Sequence, residues 1–202
     1  MNTDLHAGTA VDAATLRRVL GHFCSGVAVI TAVLGREPVG FTCQSFASLS
    51  LDPPMVTFAA ARSSTSWLKV RQAGTFCVNI LSDTHEELSN AFGRSGTDKF
   101  AGVAWRPSRY GAPVLGEVVA FIDCRVWAEY DGGDHIIVAA SVLDLAADST
   151  RGPLVFYRGR YGLQGPGGDG AVGRPFPVAD AQAPRDAGDL ARAQSPQGGG
   201  RK

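Results

Sequence analysis

Two short stretches rich in hydroxyl and amide side chains are where this 202-residue chain could do chemistry. The first, residues 40–54, reads Gly-Phe-Thr-Cys-Gln-Ser-Phe-Ala-Ser-Leu-Ser-Leu-Asp-Pro-Pro. A strand ends near Cys43, and donors and acceptors then alternate with apolar residues until two prolines restart the chain. Such a segment can offer backbone N–H groups and short side chains to the edge of a planar heterocycle, for instance O2, N3 and O4 of a flavin. It can equally be a Ser-rich loop that satisfies its own backbone. The second stretch, Arg62-Ser63-Ser64-Thr65-Ser66-Trp67, follows a strand and opens a helix. Free N–H groups at a helix start, hydroxyls and one guanidinium together make a phosphate site. A plain Ser/Thr N-cap is the bland alternative. Lying a short strand apart, one stretch could hold a ring and the other its phosphate.

Other chemistries find no support. There is no GxSxG elbow, P-loop, GxGxxG after a strand, or carboxylate pair in a cleft context, and the Asp131–His135 turn is too short for a calcium loop. The four histidines are dispersed, and Cys24, Cys43, Cys77 and Cys124 sit singly in apolar runs with no CxxC pair. No metal is expected, and the cysteines read as small buried hydrophobes suited to a reducing cytoplasm. Nineteen basic residues balance nineteen acidic ones, which argues against a nucleic-acid surface. No apolar run reaches the roughly 18–20 residues of a membrane span, and the N-terminus lacks a basic segment followed by an apolar run.

The elements that must position these stretches are mostly strands. Residues 12–24 predict an amphipathic helix capped by Asp12, with Leu16, Val19, Leu20 and Phe23 on one stripe. Strands are expected at 27–34, 39–43, 55–60, 75–81, 121–130, 136–145 and 153–157. The first two form a hairpin around a turn at 35–38, and a second hairpin turns at Asp131-Gly132-Gly133-Asp134. Residues 64–73 predict a short helix stopped by Gly74. Asp83 with Glu86 resembles a capping box opening another helix through about Phe92. Many short strands with flanking short helices give a mainly β protein, a barrel rather than a βαβ sheet. Residues 1–11 read as a flexible N-terminus and 12–164 as the folded domain. Residues 165–202, rich in Gly, Pro, Ala, Asp and Arg, read as a disordered tail with too little apolar surface to offset its ordering entropy.

Several segments then occur in a telling order. They are Phe23-Cys24-Ser25-Gly26-Val27-Ala28-Val29-Ile30-Thr31, residues 40–54, Phe76-Cys77-Val78-Asn79-Ile80-Leu81 and Asp98-Lys99-Phe100-Ala101-Gly102. Gly133-Asp134-His135 and Leu154-Val155-Phe156-Tyr157-Arg158-Gly159-Arg160-Tyr161 complete the series. Over residues 12–163 the chain resembles the short-chain flavin reductases of two-component monooxygenases, in particular those serving aromatic or steroid-ring hydroxylases.

The resemblance implies an FMN-binding split β-barrel and a homodimer with each flavin near the subunit interface. It places Thr42, Cys43, Gln44, Ser45 and Ser48 along the flavin ring, and Arg62, Ser64, Thr65 and Ser66 at the phosphate end. His135, Tyr157, Arg158 and Tyr161 would border the nicotinamide nucleotide, with the Gly-Asp-His turn across the ring from the phosphate cluster. Gln44 stands where many members have Asn, and Thr65 where an Arg is common. Lys99 and Phe100 stay open between approaching the flavin and serving as a solvated charge and a buried anchor. The implied reaction is hydride transfer from nicotinamide C4 to flavin N5, with reduced flavin leaving for a separate flavin-dependent monooxygenase. Such chemistry belongs to the cofactor, so no side-chain nucleophile or general base is required. NADH is the expected reductant, because no Arg/Lys cluster awaits a 2′-phosphate, and FAD is the alternative flavin. Two rival readings are a non-catalytic flavin carrier on the same barrel, which needs no nicotinamide subsite, and a pyridoxamine-phosphate oxidase-like enzyme, which would want basic residues for a second phosphorylated ligand.

Overall fold

The computed structural model describes residues 11–163, so the expectations for residues 1–10 and for the tail lie outside the described residues. In chain order the elements are α1 (Ala13–Leu20), β1 (Ser25–Gly26), β2 (Ala28–Leu34), β3 (Glu37–Cys43), β4 (Ala47–Leu51) and β5 (Pro54–Ala61). Next come α2 (Thr65–Ala73), β6 (Thr75–Ile80), α3 (Glu86–Gly93), β7 (Trp105–Pro107) and β8 (Pro113–Leu115). The chain closes with β9 (Ala120–Gly132), β10 (His135–Ala147), β11 (Val155–Tyr157) and β12 (Arg160–Tyr161).

Seven strands form one antiparallel sheet in the order β3-β2-β6-β9-β10-β5-β4. The sheet curls into a split β-barrel. Its interior is filled by every second residue of the strands: Ala28, Ile30 and Ala32 on β2, Val56, Phe58 and Ala60 on β5, and Phe76 and Val78 on β6. Phe58 meets Trp67 and Phe76 edge-on, with ring centroids 5.4 and 5.7 Å apart, the arrangement favoured by aromatic quadrupoles. A second cluster packs Val27, just before β2, and Val29, on the outer face of β2, against Leu81, Phe92, Leu115 and Leu154. Burial on both faces explains why β2 reads as a continuous apolar run rather than an alternating one.

The barrel is split where β3 and β5 approach without pairing. There Ser45 Oγ donates to the Ala59 carbonyl (3.1 Å) and accepts from the Ala59 N–H (2.8 Å). Gly40 lies beside this seam because nothing larger fits. A Cβ there would fall 2.7 Å from the Ile30 carbonyl oxygen and 2.9 Å from the Phe92 ring.

Three expectations are corrected. Asp12 does cap α1, accepting from the N–H groups of Ala14 and Thr15, but the helix ends at Leu20 and its apolar stripe faces outward, with Phe23 beyond it 80% exposed. The Asp83–Glu86 capping box does not form. His85 takes the N-cap position without a side-chain hydrogen bond, and its ring contacts Ser82 instead. The Ser-rich stretch after Cys43 is not loop throughout, since Ala47–Leu51 is an edge strand paired with β5. Of the four cysteines, Cys43, Cys77 and Cys124 are buried and Cys24 is exposed.

Candidate functional site

A cavity of about 550 Å³ opens at the split. Its walls come from the end of β3 and the turn after it, the end of β5, the first turn of α2, the end of α3 and the start of β10. The two polar stretches singled out in the sequence therefore face one space. Thr42, Cys43, Gln44 and Ser45 supply one wall, Ser63, Ser64, Thr65 and Ser66 another, and His135, Ser95 and Lys99 complete it.

Local chemistry explains why each wall folds as it does. Ser64 caps α2, its Oγ accepting from the Trp67 N–H at 3.1 Å, and Gly74 closes the helix at φ +78°. The first amides of a helix have no partner within it. With Trp67 capped, those of Thr65 and Ser66 carry no hydrogen bond among the described residues. No acidic residue stands in this first turn, so the positive end of the helix is left open to an external anion.

Lys99 is half-buried behind that turn. Its ammonium donates to the Gly40 carbonyl (3.0 Å), the Phe92 carbonyl (2.9 Å) and Ser66 Oγ (3.2 Å). Burial holds its pKa below the ordinary lysine value, a bias toward the neutral form that a bound anion would oppose. Because Ser66 Oγ accepts from Lys99, its own proton is polarised and available to an acceptor in the cavity. Lys99 thus supplies a cation beside Thr65, where the resemblance lacked its usual Arg. The Asp-Lys-Phe motif was its only signal in the sequence. Phe100 is the apolar anchor of the pair, half-buried and packed on Phe92 at 5.0 Å.

The first wall is more committed than its composition implies. Thr42 Oγ1 donates to the Ser89 carbonyl of α3 (2.6 Å), and Ser45 is spent on Ala59. The Cys43 thiol is buried, which pushes its pKa up, and lies 3.4 Å from Ser45 Oγ. What remains free for a ligand is the exposed Gln44 side chain, the backbone of this turn and the Thr42 hydroxyl as acceptor. Ser48 lies outside the cavity, on β4 opposite Val56.

Arg62 also turns away. Its guanidinium donates to the Gly133 carbonyl (2.7 Å) and pairs with Asp131 at 2.6 Å, while its N–H donates to the Asp134 carbonyl. Its work is to clamp the β9–β10 hairpin, whose two-residue turn requires positive φ at Gly133 (+77°). That clamp fixes His135, which pairs in register with Ala61 and shares the cavity with Ser63 and Ser64. The Gly-Asp-His turn therefore stands at the same end as the hydroxyl cluster and not across from it. His135 Nδ1 lies 2.7 Å from the Asp134 carboxylate. A carboxylate accepts only, so Nδ1 carries the proton and Nε2 is left as an acceptor when the ring is neutral.

Tyr157, Arg158 and Tyr161 are not brought to this cavity. Tyr157 meets the His22 ring edge-on, and the Arg158 N–H donates to the Gly21 carbonyl. The Tyr161 hydroxyl bonds Ser89 Oγ (2.9 Å) and Asn90 Oδ1 (3.2 Å), bracing α3 from its far side.

The space so built can hold a flat polar ring beside an anionic group, and comparison with known proteins shows where it belongs. A family profile described as the flavin reductase like domain matches residues 20–163. The chain belongs to this flavin reductase family. It is 48% identical over 154 residues to the reductase subunit HsaB of a flavin-dependent monooxygenase from Mycobacterium tuberculosis, covering 75% of this chain and 82% of that one. A flavin reductase from Pseudomonas putida is 43% identical over 155 residues, covering 76% and 91% of the two chains. Among solved structures, the Streptomyces globisporus NADH:FAD oxidoreductase SgcE6, in complex with NAD and FAD fragments, superposes with a TM-score of 0.72 at 33% identity. That match covers 80% of this chain and all (100%) of that one. The split barrel is thus the fold of this flavin reductase. Among its described residues no helix is long and apolar enough to cross a membrane, and no cluster of His, Cys, Asp and Glu could hold a metal ion.

Proposed function

We propose that this flavin reductase uses NADH to reduce a flavin bound in the cavity at the barrel split, and releases it to a separate flavin-dependent monooxygenase in the cytoplasm. One observation carries the reading. A single cavity joins an open helix N-terminus and a lysine-polarised serine to the hairpin that presents His135. An FMN-sized ligand suits that donor set. The Thr65 and Ser66 amides, the Ser66 hydroxyl and the Lys99 charge would hold its phosphate, while the backbone of residues 42–45 and the Gln44 amide would meet the polar edge of its ring. Bound there, the flavin supplies a two-electron acceptor for the hydride of NADH. The residues themselves bind, align and shield, which is where positioning lowers the barrier to transfer. His135, held by Asp134 and the Arg62 clamp, is placed to orient the nicotinamide nucleotide. A carrier would have no use for that fixed imidazole, so the catalytic reading is favoured over it.

Release fits the number of free groups. With Thr42, Ser45 and Arg62 committed elsewhere, ring and phosphate gain fewer contacts, and each tenfold in affinity forgone is about 1.4 kcal/mol. We further infer a homodimer. Leu16, Val19, Leu20 and Phe23 lie exposed along α1 and its C-terminal extension, and Trp127 is exposed on β9, apolar area that a second copy would cover. The reading is tested by anaerobic mixing of protein, FMN and NADH while following loss of oxidised-flavin absorbance. Bleaching that needs both protein and flavin is expected. Its absence with both FMN and FAD overturns the proposal.

A further inference from the structure

Four charged residues, Arg106, Glu117, Asp148 and Arg151, take no part in the flavin cavity, yet the fold gathers them around another hollow. This cavity measures about 490 Å³, within the roughly 300–1,000 Å³ of small-molecule sites. It lies at the far end of β10. His135 opens that 13-residue strand at the flavin cavity and Ala147 closes it beside the hollow, so up to about 40 Å of strand separates the two. No residue lines both. Most of the lining is apolar, with Val114 on β8, Val118 after it, Phe121 on β9 and the exposed Ala146 and Ala147 on β10. Three of the four charged residues are spent on one another. Arg151 Nε donates to the Asp148 carboxylate at 3.0 Å, and Arg151 lies 3.7 Å from the carboxylate of Glu117. Glu117 meets it from a left-handed φ of +59°, uncommon for a residue with a side chain. Arg106 is different. Among the described residues it makes no ion pair, and its guanidinium rests over the Phe121 ring, 5.3 Å from the centroid.

We propose that this cavity is a second ligand site, separate from the flavin cavity, that takes a planar aromatic monocarboxylate. Arg106 keeps its charge at every accessible pH, and its planar fork of N–H donors matches a carboxylate with two parallel hydrogen bonds. Stacking on Phe121 holds that fork at the edge of an apolar lining. A ring attached to the carboxylate would then lie on Val114, Val118 and Phe121, where its removal from water is favourable. One open cation selects one negative charge. A cationic ligand gains little, because both acidic side chains of the lining already face Arg151. A neutral ring would use the apolar lining but leave the Arg106 fork unanswered.

The test is a calorimetric titration of the full-length protein with 2-naphthoate, its neutral amide 2-naphthamide and the cationic 2-naphthylmethylammonium. Excess FMN is present to occupy the barrel split. One 2-naphthoate per chain is expected, bound at least about tenfold more tightly than the amide or the cation, the scale of one charge-assisted contact. Arg106→Gln is expected to lower 2-naphthoate affinity about tenfold and to erase its advantage over the amide. Ala146→Trp, which sets an indole on the lining, is expected to weaken acid and amide alike. Both variants should keep the melting temperature and NADH-dependent flavin reduction near wild type, because neither residue lines the flavin cavity. Arg125→Gln removes an exposed guanidinium of β9 outside the lining and is expected to change nothing. The proposal is overturned if 2-naphthoate does not bind, if the amide or the cation binds as well, or if NADH displaces the acid. Undiminished binding by Arg106→Gln overturns it too. If the wild type binds no 2-naphthoate and either variant sediments as a smaller species, the cavity is a subunit contact and the proposal falls.

Discussion

Two groups of small polar side chains sit about a strand apart in this barrel and behave in opposite ways. Thr31 on β2 and Asn79 on β6 are fully buried. The Thr31 hydroxyl donates to the Pro113 carbonyl at 2.6 Å. Asn79 Nδ2 donates to Thr31 Oγ1 (2.9 Å) and the Val29 carbonyl (3.2 Å), and Asn79 Oδ1 accepts from the Leu115 N–H (2.9 Å). Their hydrogen-bonding capacity is consumed in holding β8 against the barrel. In the α2 cluster only Ser64 is consumed as a cap, while the Thr65 and Ser66 amides and the outward proton of Ser66 remain available. The residue types are nearly the same. What separates a fastening from a binding site is how much donor and acceptor capacity the fold has already used.

The largest expected effect lies on the fastening side. Asn79→Leu strands the Leu115 N–H and the Thr31 network in a dry interior, and is expected to lower unfolding free energy by about 3–5 kcal/mol in urea titrations. A loss below about 1 kcal/mol would mean that the network is not a fastening. On the binding side, Ser66→Ala is expected to raise the FMN dissociation constant about tenfold, the scale of one hydrogen bond to a charged group, with stability near wild type. Ser64→Ala is the less clean variant, because it also removes the α2 cap at a cost of about 1 kcal/mol. If Ser66→Ala instead lowers stability and leaves FMN binding alone, the two clusters are of one kind.

His135→Ala is expected to raise the NADH Michaelis constant about fivefold in steady-state assays. FMN affinity should change by less than about threefold despite the shared cavity, since the imidazole makes one contact at most there. Unaltered NADH kinetics would make His135 an ordinary turn residue. The smallest effect is expected at Arg62. Its guanidinium is already neutralised by Asp131, so Arg62→Ala should leave the FMN dissociation constant within about twofold by fluorescence quenching. A loss as large as that of Ser66→Ala would return Arg62 to the phosphate site.

Much of this protein was legible in local sequence. Ser64 and Gly74 bracket α2, Asp12 starts α1, and the two-glycine turn joins β9 to β10, because caps and tight turns depend on residues a few positions apart. The ordered motifs carried the family, and the two hydroxyl-rich stretches did converge on one cavity. Which of their members stay free was not legible. Arg62 is claimed by Asp131, sixty-nine positions on, and Ser45 by Ala59 across the barrel split. Thr42 is taken by the Ser89 carbonyl, and Tyr161 braces α3 instead of lining the cavity. Lys99 gained its place only when the loop after α3 folded back onto Gly40. The sequence by itself determined the longer barrel strands, the start of α1, both ends of α2 and the polar stretches, since these follow from short-range propensity and hydrogen bonding. The tertiary structure alone decided which polar groups were used up in closing the barrel and which were left for a ligand, because that depends on strand register and on partners brought together from distant parts of the chain.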